Sequence, residues 1–305
     1  EMIAILGPTA CGKTRFAAAL ADSLNGEIIS ADSRQVYRGM DIGTGKDYGD
    51  YLVNGRWIPH HLIDIADAGT EYNVFRYQRD FLKVFQDIKS RDKLALLCGG
   101  SGLYLEAVLS GYRLATVPVN EALREELNKK TDQELEEMLS SLRTMHNSTD
   151  LGSRKRTIRA IEIAHCSKTQ AANEQPFPEI KSLLFGIHLP RDILRKRITE
   201  RLHSRLDNGM IEEVKTLLKQ KTPAEALIRY GLEYKFITRY LLGETDRDEM
   251  IAGLNTAIHR FAKRQNTWFR RMQRNGCNIH WIDGEATTGE MTEQALEIMS
   301  NAVTE

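Results

Sequence analysis

No cysteines in this chain are spaced for a metal site or a disulfide framework. Cys11, Cys98, Cys166 and Cys277 lie far apart with no C-x-x-C pair, which leaves reduced thiols in a reducing compartment as the simplest reading. No apolar run approaches the roughly 20 residues a bilayer span requires. No basic-then-apolar leader precedes the first strand, so a cytoplasmic protein with no membrane partner is expected. The chain opens abruptly on that strand, so native residues ahead of Glu1 are expected as well. Net charge is also missing, because 42 Lys and Arg balance 42 Asp and Glu. A neutral total disfavours a polyanionic partner, yet the distribution is uneven. From Arg191 to Trp281 there are 19 Lys and Arg against 11 Asp and Glu, a basic region compatible with nucleic acid and equally with a small charged substrate. Internal repeats and low-complexity stretches are absent. The length suits one principal domain with a sizeable insertion, and nothing suggests more than a monomer.

What is present begins at once. Gly7 to Thr14 reads GPTACGKT, a complete G-x-x-x-x-G-K-[ST] phosphate loop between the apolar run Met2 to Leu6 and a helical pattern through Leu24. A strand, a glycine-turned loop and a helix N-terminus aim backbone N–H groups and the helix dipole at an anion. Lys13 adds a point charge at the terminal phosphates, and the Thr14 hydroxyl is placed to ligate Mg²⁺. Further β-rich runs are Glu27 to Ala31, Leu94 to Cys98, Leu183 to Leu189 and Asn278 to Ile282, with helical patterns between them. This alternation predicts an α/β fold with a P-loop NTPase-like parallel sheet flanked by helices, and ligands outside the C-terminal strand ends. Charged helical patterns from about Leu114 to Lys181 interrupt the rhythm. The expected division is therefore a core of 1–113 with 182–305 and a mostly helical insertion domain at 114–181.

Asp32 closes the second β-run, where an adjacent parallel strand would bring its carboxylate beside the bound phosphates. It suits a general base for an acceptor group, with a Mg²⁺-binding or helix-capping role as the alternative. The third run ends in Gly99-Gly-Ser-Gly rather than in the Asp with which typical P-loop ATPases hold Mg²⁺, so chemistry on a second substrate is favoured over ATP-driven mechanics. Arg197, Arg201 and Arg205 recur on one helical stripe, which would either clamp a diphosphate or form a solvated face. From Ile258 to Arg274 the apolar stripe holds Ile258, Phe261, Gln265, Trp268, Phe269 and Met272, so Trp268 reads as core. Six cations and no acid occupy the rest of that stretch, a phosphate-tracking surface. A second basic cluster is Arg154, Lys155, Arg156 and Arg159, and the two patches fit an elongated anion such as RNA better than a nucleotide. His60 and His61 cannot both face one metal from a strand, so a structural role is expected.

The combination resembles the tRNA dimethylallyltransferases, bacterial type. The matching segments are GPTACGKT, the block Ser30 to Thr44 (SADSRQVYRGMDIGT), His60-His-Leu-Ile-Asp64, Gly99-Gly-Ser-Gly-Leu-Tyr104 and Lys263-Arg-Gln-Asn-Thr-Trp-Phe-Arg270. They run in family order over nearly the whole chain. The resemblance implies transfer of a dimethylallyl group from dimethylallyl diphosphate to N6 of the adenosine next to the anticodon of tRNA, with release of diphosphate and Mg²⁺ as cofactor. It implies that Gly7, Thr9, Ala10, Cys11, Gly12, Lys13, Thr14 and Arg201 hold the diphosphate, with Thr14 as metal ligand. Asp32, Ser101 and Lys13 would act in catalysis. Contacts to tRNA would come from Asp32, Ser33, Arg34, Gln35, Ser101, Arg124, Lys155, Arg156, Arg159, Lys263, Arg264, Gln265, Trp268 and Arg270. The chain departs from the family in having Ser101 where Thr is usual and Leu151-Gly-Ser153 where Asn-Asp is usual. The spacing around Ile228 to Lys235 is longer, and no C-terminal zinc finger is present. Prenylation of free adenine nucleotides, small-molecule phosphorylation and a nucleotide-gated RNA-binding module are the competing readings.

Overall fold

The computed structural model describes residues 1–112, 117, 119–142, 151, 153–170 and 177–303. Its centre is built from strands that are buried along nearly their whole length. Met2–Leu6 (β1) and Gly26–Ala31 (β2) are buried at every position, as expected of parallel strands covered by helices on both faces. Leu52–Val53 (β3) and Arg56–Trp57 (β4) pair as an antiparallel hairpin apart from the main sheet. His60–His61 (β5), Leu94–Gly99 (β6), Ser182–His188 (β7) and Ile279–Asp283 (β8) join β1 and β2 in one parallel sheet of order β5-β2-β6-β1-β7-β8. This is the P-loop-like α/β sheet that the alternation of strands and helices predicts.

Two details differ from the sequence reading. His60 and His61 form a sixth, edge strand beside Ile28 and Ile29, too short to announce itself by periodicity. Their role is structural: His61 Nε2 lies 2.8 Å from Glu27 Oε2, and His60 stacks on Tyr51. The second difference concerns Asp32. Strand β2 is not adjacent to β1, because β6 lies between them, with Cys98 opposite both Ile5 and Ser30. Asp32 therefore reaches the phosphate loop across the end of β6.

The chain divides into two compact units, Glu1–Ser110 with Glu179–Glu305, and Gly111–Pro178. In the larger unit Lys13–Ser23 (α1), Val74–Ser90 (α2) and Gly102–Leu109 (α3) follow their strands. The smaller is helical, with Glu121–Asn128 (α4), Asp132–Leu142 (α5) and Arg154–Gln170 (α6) around Leu127, Leu135, Leu139, Ile158 and Ile161. The larger unit continues through Arg191–Asp207 (α7), Met210–Lys219 (α8), Ala224–Tyr230 (α9), Leu232–Leu241 (α10), Arg247–Arg274 (α11) and Thr288–Val303 (α12). In α11, 28 residues long, Met250, Leu254, Ile258, Ala262, Gln265, Phe269 and Met272 are buried along one stripe. Asp246 caps that helix by accepting from Glu249 N at 2.9 Å. No helix among the described residues is long and apolar enough to cross a membrane.

Candidate active site

The phosphate loop is shaped by left-handed backbone. Ala10 stands at φ +62° and Gly12 at +89°, and Gly12 directly precedes α1 without any side chain capping its N–H groups. No acid occupies the first turn of α1 either, so the positive end of the helix is left for an anion from outside. A Cβ on Gly7 would lie 2.6 Å from Cys11 Sγ, which ties glycine at the loop entrance to the buried thiol beneath it. Lys13 Nζ donates to Pro8 O at 3.3 Å, a long bond to the loop's own carbonyl that an anion would displace. Burial pushes the Cys11 thiol up despite the nearby Lys13 cation. The same cause drives Cys98 up to about 12, so neither thiol is ionised for nucleophilic work. The Cys166 side chain lies outside the described residues, and Cys277 is free.

Across the end of β6 stands the acidic wall. Asp32 Oδ1 accepts from Arg34 N at 2.9 Å, a local turn that fixes the carboxylate as the chain leaves β2. Ser101 Oγ accepts from Ser33 N at 3.0 Å and donates to Ser33 Oγ at 3.2 Å, which ties the β6 turn to the β2 turn. Gln35 Nε2 donates to Gly45 O at 3.0 Å, and Ser30 Oγ donates to Gln35 Oε1 at 3.3 Å. Gln35 is thus committed to the Gly45 carbonyl and the Ser30 hydroxyl. Glu213 on α8 accepts from the N–H groups of Asp41, Ile42 and Gly43 at 2.7 to 3.0 Å and from Tyr234 Oη at 2.6 Å. This holds the Gly43-Thr44-Gly45 wall in place.

The glycines after β6 let three elements approach. A side chain on Gly99 would overlap the Ala31 carbonyl, and one on Gly102 would overlap the Trp268 indole. At Gly100 the neighbour is Gln265, whose amide spans the site: Thr9 N donates to its Oε1 and its Nε2 donates to Gly100 O, both at 2.9 Å. The resemblance groups Gln265 with tRNA contacts, but here both ends of its amide join the phosphate loop to the β6 turn. Trp268 is half-buried in the cavity wall rather than in the core. Arg271 lies over its ring at 4.1 Å.

The arginine stripe of α7 separates on inspection. Arg197 Nη1 donates to Gly284 O at 3.2 Å, while Arg201 Nη1 reaches Thr9 Oγ1 at 3.4 Å and its Nη2 pairs closely with Asp47. Lys13, Thr14, Asp32, Ser101, Arg201 and Trp268 all face one cavity of about 370 Å³, as do Thr9, Ser33, Arg34, Gln35, Arg264 and Gln265. A second opening of about 620 Å³ is lined by Ala10, Cys11 and Gly12 and shares Lys13, Thr14 and Arg201 with the first. Sequence reasoning did not place Phe261 or Glu233 in this cavity. Phe261 carries Arg34 over its ring at 4.7 Å, a contact between residues with no sequence proximity to signal it.

Lys263 and Arg270 project from α11 into solvent outside the cavity, while Arg264 is exposed at its edge over the Phe261 ring, and no ion pair engages the three among the described residues. In the smaller unit, Lys155 and Arg156 are exposed. Arg124 and Arg159 converge on Glu162 at 2.8 and 2.9 Å. Burial would push the Glu162 carboxyl up, but the hydrogen bonds from the two arginines outweigh it and hold the group below the usual range.

Comparison with known proteins places this arrangement. A family model described as IPP transferase matches residues 35–272, and one described as isopentenyl transferase matches residues 1–60. The tRNA dimethylallyltransferase 1 of Parabacteroides distasonis is 56% identical over 301 residues, 99% of this chain and 98% of its own. The tRNA dimethylallyltransferase 2 of Bacteroides fragilis is 58% identical over 283 residues, 93% of this chain and 92% of its own. Among solved structures, the tRNA isopentenylpyrophosphate transferase of Bacillus halodurans superposes with a TM-score of 0.72 at 32% identity, covering 99% of this chain and 96% of that one. A eukaryotic dimethylallyltransferase acting on tRNA shares the fold, with a TM-score of 0.76 at 23% identity, covering 93% of this chain and 73% of that one. Matched by the family model over most of its length and by these relatives over nearly all of it, the chain belongs to the IPP transferase family.

Proposed function

We propose that this protein transfers the dimethylallyl group of dimethylallyl diphosphate to N6 of the adenosine adjacent to the anticodon in tRNA, releasing diphosphate. The observation that carries the reading is the pairing in one cavity of an uncapped phosphate loop with the Asp32 carboxylate, held by the Arg34 N–H, across a glycine turn that bears no acid. A kinase or ATPase of this fold uses an acid at that turn to hold Mg²⁺ for phosphoryl transfer. Here the phosphate end instead suits a leaving group. The allylic C–O bond breaks with its electron pair passing to the diphosphate, whose charge the loop amides, Lys13 and Arg201 neutralise. The adenine amine forms the new C–N bond, and Asp32 accepts the proton it sheds. Ser101 holds the turn that positions Asp32. The target base leaves its stack to reach the buried carbon, at a cost of a few kcal/mol, offset by contacts along the RNA.

Mg²⁺ fits the donor set. No cluster of three His, Cys, Asp or Glu among the described residues is arranged to hold a metal. A cation that keeps several waters needs only the Thr14 hydroxyl and the substrate's own phosphate oxygens. When bound, it would supply charge neutralisation on the diphosphate. In this reading the protein works as a monomer in the cytoplasm, and the basic surface favours RNA over a free nucleotide.

The decisive assay incubates protein and Mg²⁺ with dimethylallyl diphosphate and either unmodified tRNA or AMP, then weighs the nucleosides by mass spectrometry. Prenyl adenosine in tRNA alone is expected. Prenylated AMP, or phosphate transfer from ATP without any prenyl product, would overturn the reading. For the RNA surface, the double change Lys263→Ala and Arg264→Ala is expected to weaken tRNA binding and lower its salt slope by roughly one unit per cation removed. A titration of tRNA affinity against salt checks this, and an unchanged slope moves the footprint elsewhere.

A further inference from the structure

Arg205 is enclosed with one of its donors lacking a hydrogen bond. It stands one turn beyond Arg201 on α7 with its side chain 14% exposed, and its Nη2 is buried without a hydrogen-bond partner. Asp47 pairs closely with Arg201 but lies 3.9 Å from Arg205, beyond hydrogen-bond reach. Two guanidinium groups thus share one half-exposed carboxylate. The other acid nearby, Glu233, lies 3.5 Å from Arg34 and makes no ion pair with Arg205 among the described residues. Burial lowers the Arg205 pKa to about 10, and the Arg201 cation adds to the fall against the opposing pull of Asp47, Glu233 and Tyr234. Arg34, Arg201 and Arg205 outnumber Asp47 and Glu233 here, and a buried donor without a hydrogen bond is costly.

The surrounding backbone makes room for this pair. Gly45 sits at φ +70°, and a Cβ there would overlap Arg205 Nη2 and lie 2.8 Å from Arg201 Nη2. The two Nη2 atoms therefore converge above one glycine Cα, while Arg201 reaches the Thr9 hydroxyl with its Nη1. Both arginines face the cavity that holds Lys13 and Thr14. They also line a smaller recess with Thr9 and Ala10 of the phosphate loop.

We propose that Arg205 is a second anion-binding arm of this site, its guanidinium group donating to an oxygen of the substrate diphosphate beside Arg201. The leaving group is then gripped by the loop amides and Lys13 from one side and by two guanidinium groups from the other. The inference rests on the reading that the cavity takes a diphosphate, and it adds a residue that the phosphate-loop motif does not contain.

Calorimetric binding of inorganic diphosphate to wild type, Arg205→Met, Arg205→Lys and Arg201→Met tests it, with melting temperatures taken alongside. Losing one charge-assisted contact is expected to weaken diphosphate binding roughly 10- to 100-fold in Arg205→Met, with partial recovery in Arg205→Lys. In turnover, KM for the prenyl diphosphate should rise by a similar factor while KM for tRNA stays put. If Arg205→Met does not fold, Arg205→Gln, shorter but polar and neutral, takes its place under the same criterion. Diphosphate affinity unchanged in the neutral variant, or both KM values rising together as the melting temperature falls, overturns the assignment. Wild type that binds diphosphate but transfers no prenyl group removes the proposed reaction and leaves the Arg205 comparison intact. Wild type that transfers the group while Arg205→Met binds diphosphate normally removes only the second arm.

Discussion

Asp32→Asn is expected to cut turnover by roughly 10²- to 10⁴-fold while inorganic diphosphate binds about as well as to wild type. The asparagine test is sharper than alanine because of what Asp32 already does. Its Oδ1 accepts from Arg34 N at 2.9 Å, and that bond fixes the turn after β2. An amide oxygen accepts the same bond, so Asn preserves the turn, the volume and the seat of Ser33. It removes only basicity. Asp32→Ala should lose turnover to a similar degree but also loosen the Arg34 backbone, so a comparable loss in both variants isolates the proton-accepting role. Single-turnover prenyl transfer, with diphosphate binding measured separately, decides it. Turnover near the wild-type rate in Asp32→Asn would show that the proton leaves by another route.

Lys13→Ala should fail differently. Lys13 touches both openings of the site and rests on the loop carbonyl of Pro8 through a 3.3 Å bond. A charge that meets the diphosphate in the bound substrate, and meets more charge as the C–O bond breaks, lowers both the ground state and the transition state. Its removal is expected to lower kcat/KM by roughly 10²- to 10³-fold, on the scale of losing one electrostatic donor. Part should appear as weaker diphosphate binding and part as slower turnover. The contrast with Asp32, where binding survives, is the diagnostic. A Lys13→Ala protein with normal diphosphate affinity would mean that the loop amides and arginines suffice.

The parts of the site legible from sequence are those compressed into short segments. The phosphate loop is contiguous, and its left-handed residues and uncapped helix follow from consecutive residues. Asp32 lies at the end of an apolar run, and the glycines after Leu94 to Cys98 mark a turn without an acid. The order of strands was not legible. Periodicity assigns each strand its faces but says nothing about which neighbour it takes, so the insertion of β6 between β1 and β2 was missed. The two-residue strand at His60 carried no periodic signal at all. Long-range ties were hidden for a related reason. Arg201 and Arg205 look alike on a helical wheel, and only the fold shows one hydrogen-bonded to Asp47 and the other left with a buried Nη2 that lacks a hydrogen bond. Trp268 occupies the apolar stripe of its helix, yet the stripe faces a cavity at that level, and spacing cannot tell a cavity wall from a core.

Gln265 sets a limit of another kind. Its amide must offer an acceptor to Thr9 N and a donor to Gly100 O at the same time, each at 2.9 Å, from a side chain 7% exposed. Single-base changes of a glutamine codon reach Glu, Lys, Leu, Pro, Arg and His. Glu would turn an acceptor toward the Gly100 carbonyl, Lys and Arg have nothing to accept with, and Leu leaves both backbone groups unmet. Pro breaks the helix, and the two nitrogens of a histidine ring point apart from a shorter stem. Every one-step mutational path away from this residue therefore runs through a defective enzyme, which makes position 265 an evolutionary dead end for drift.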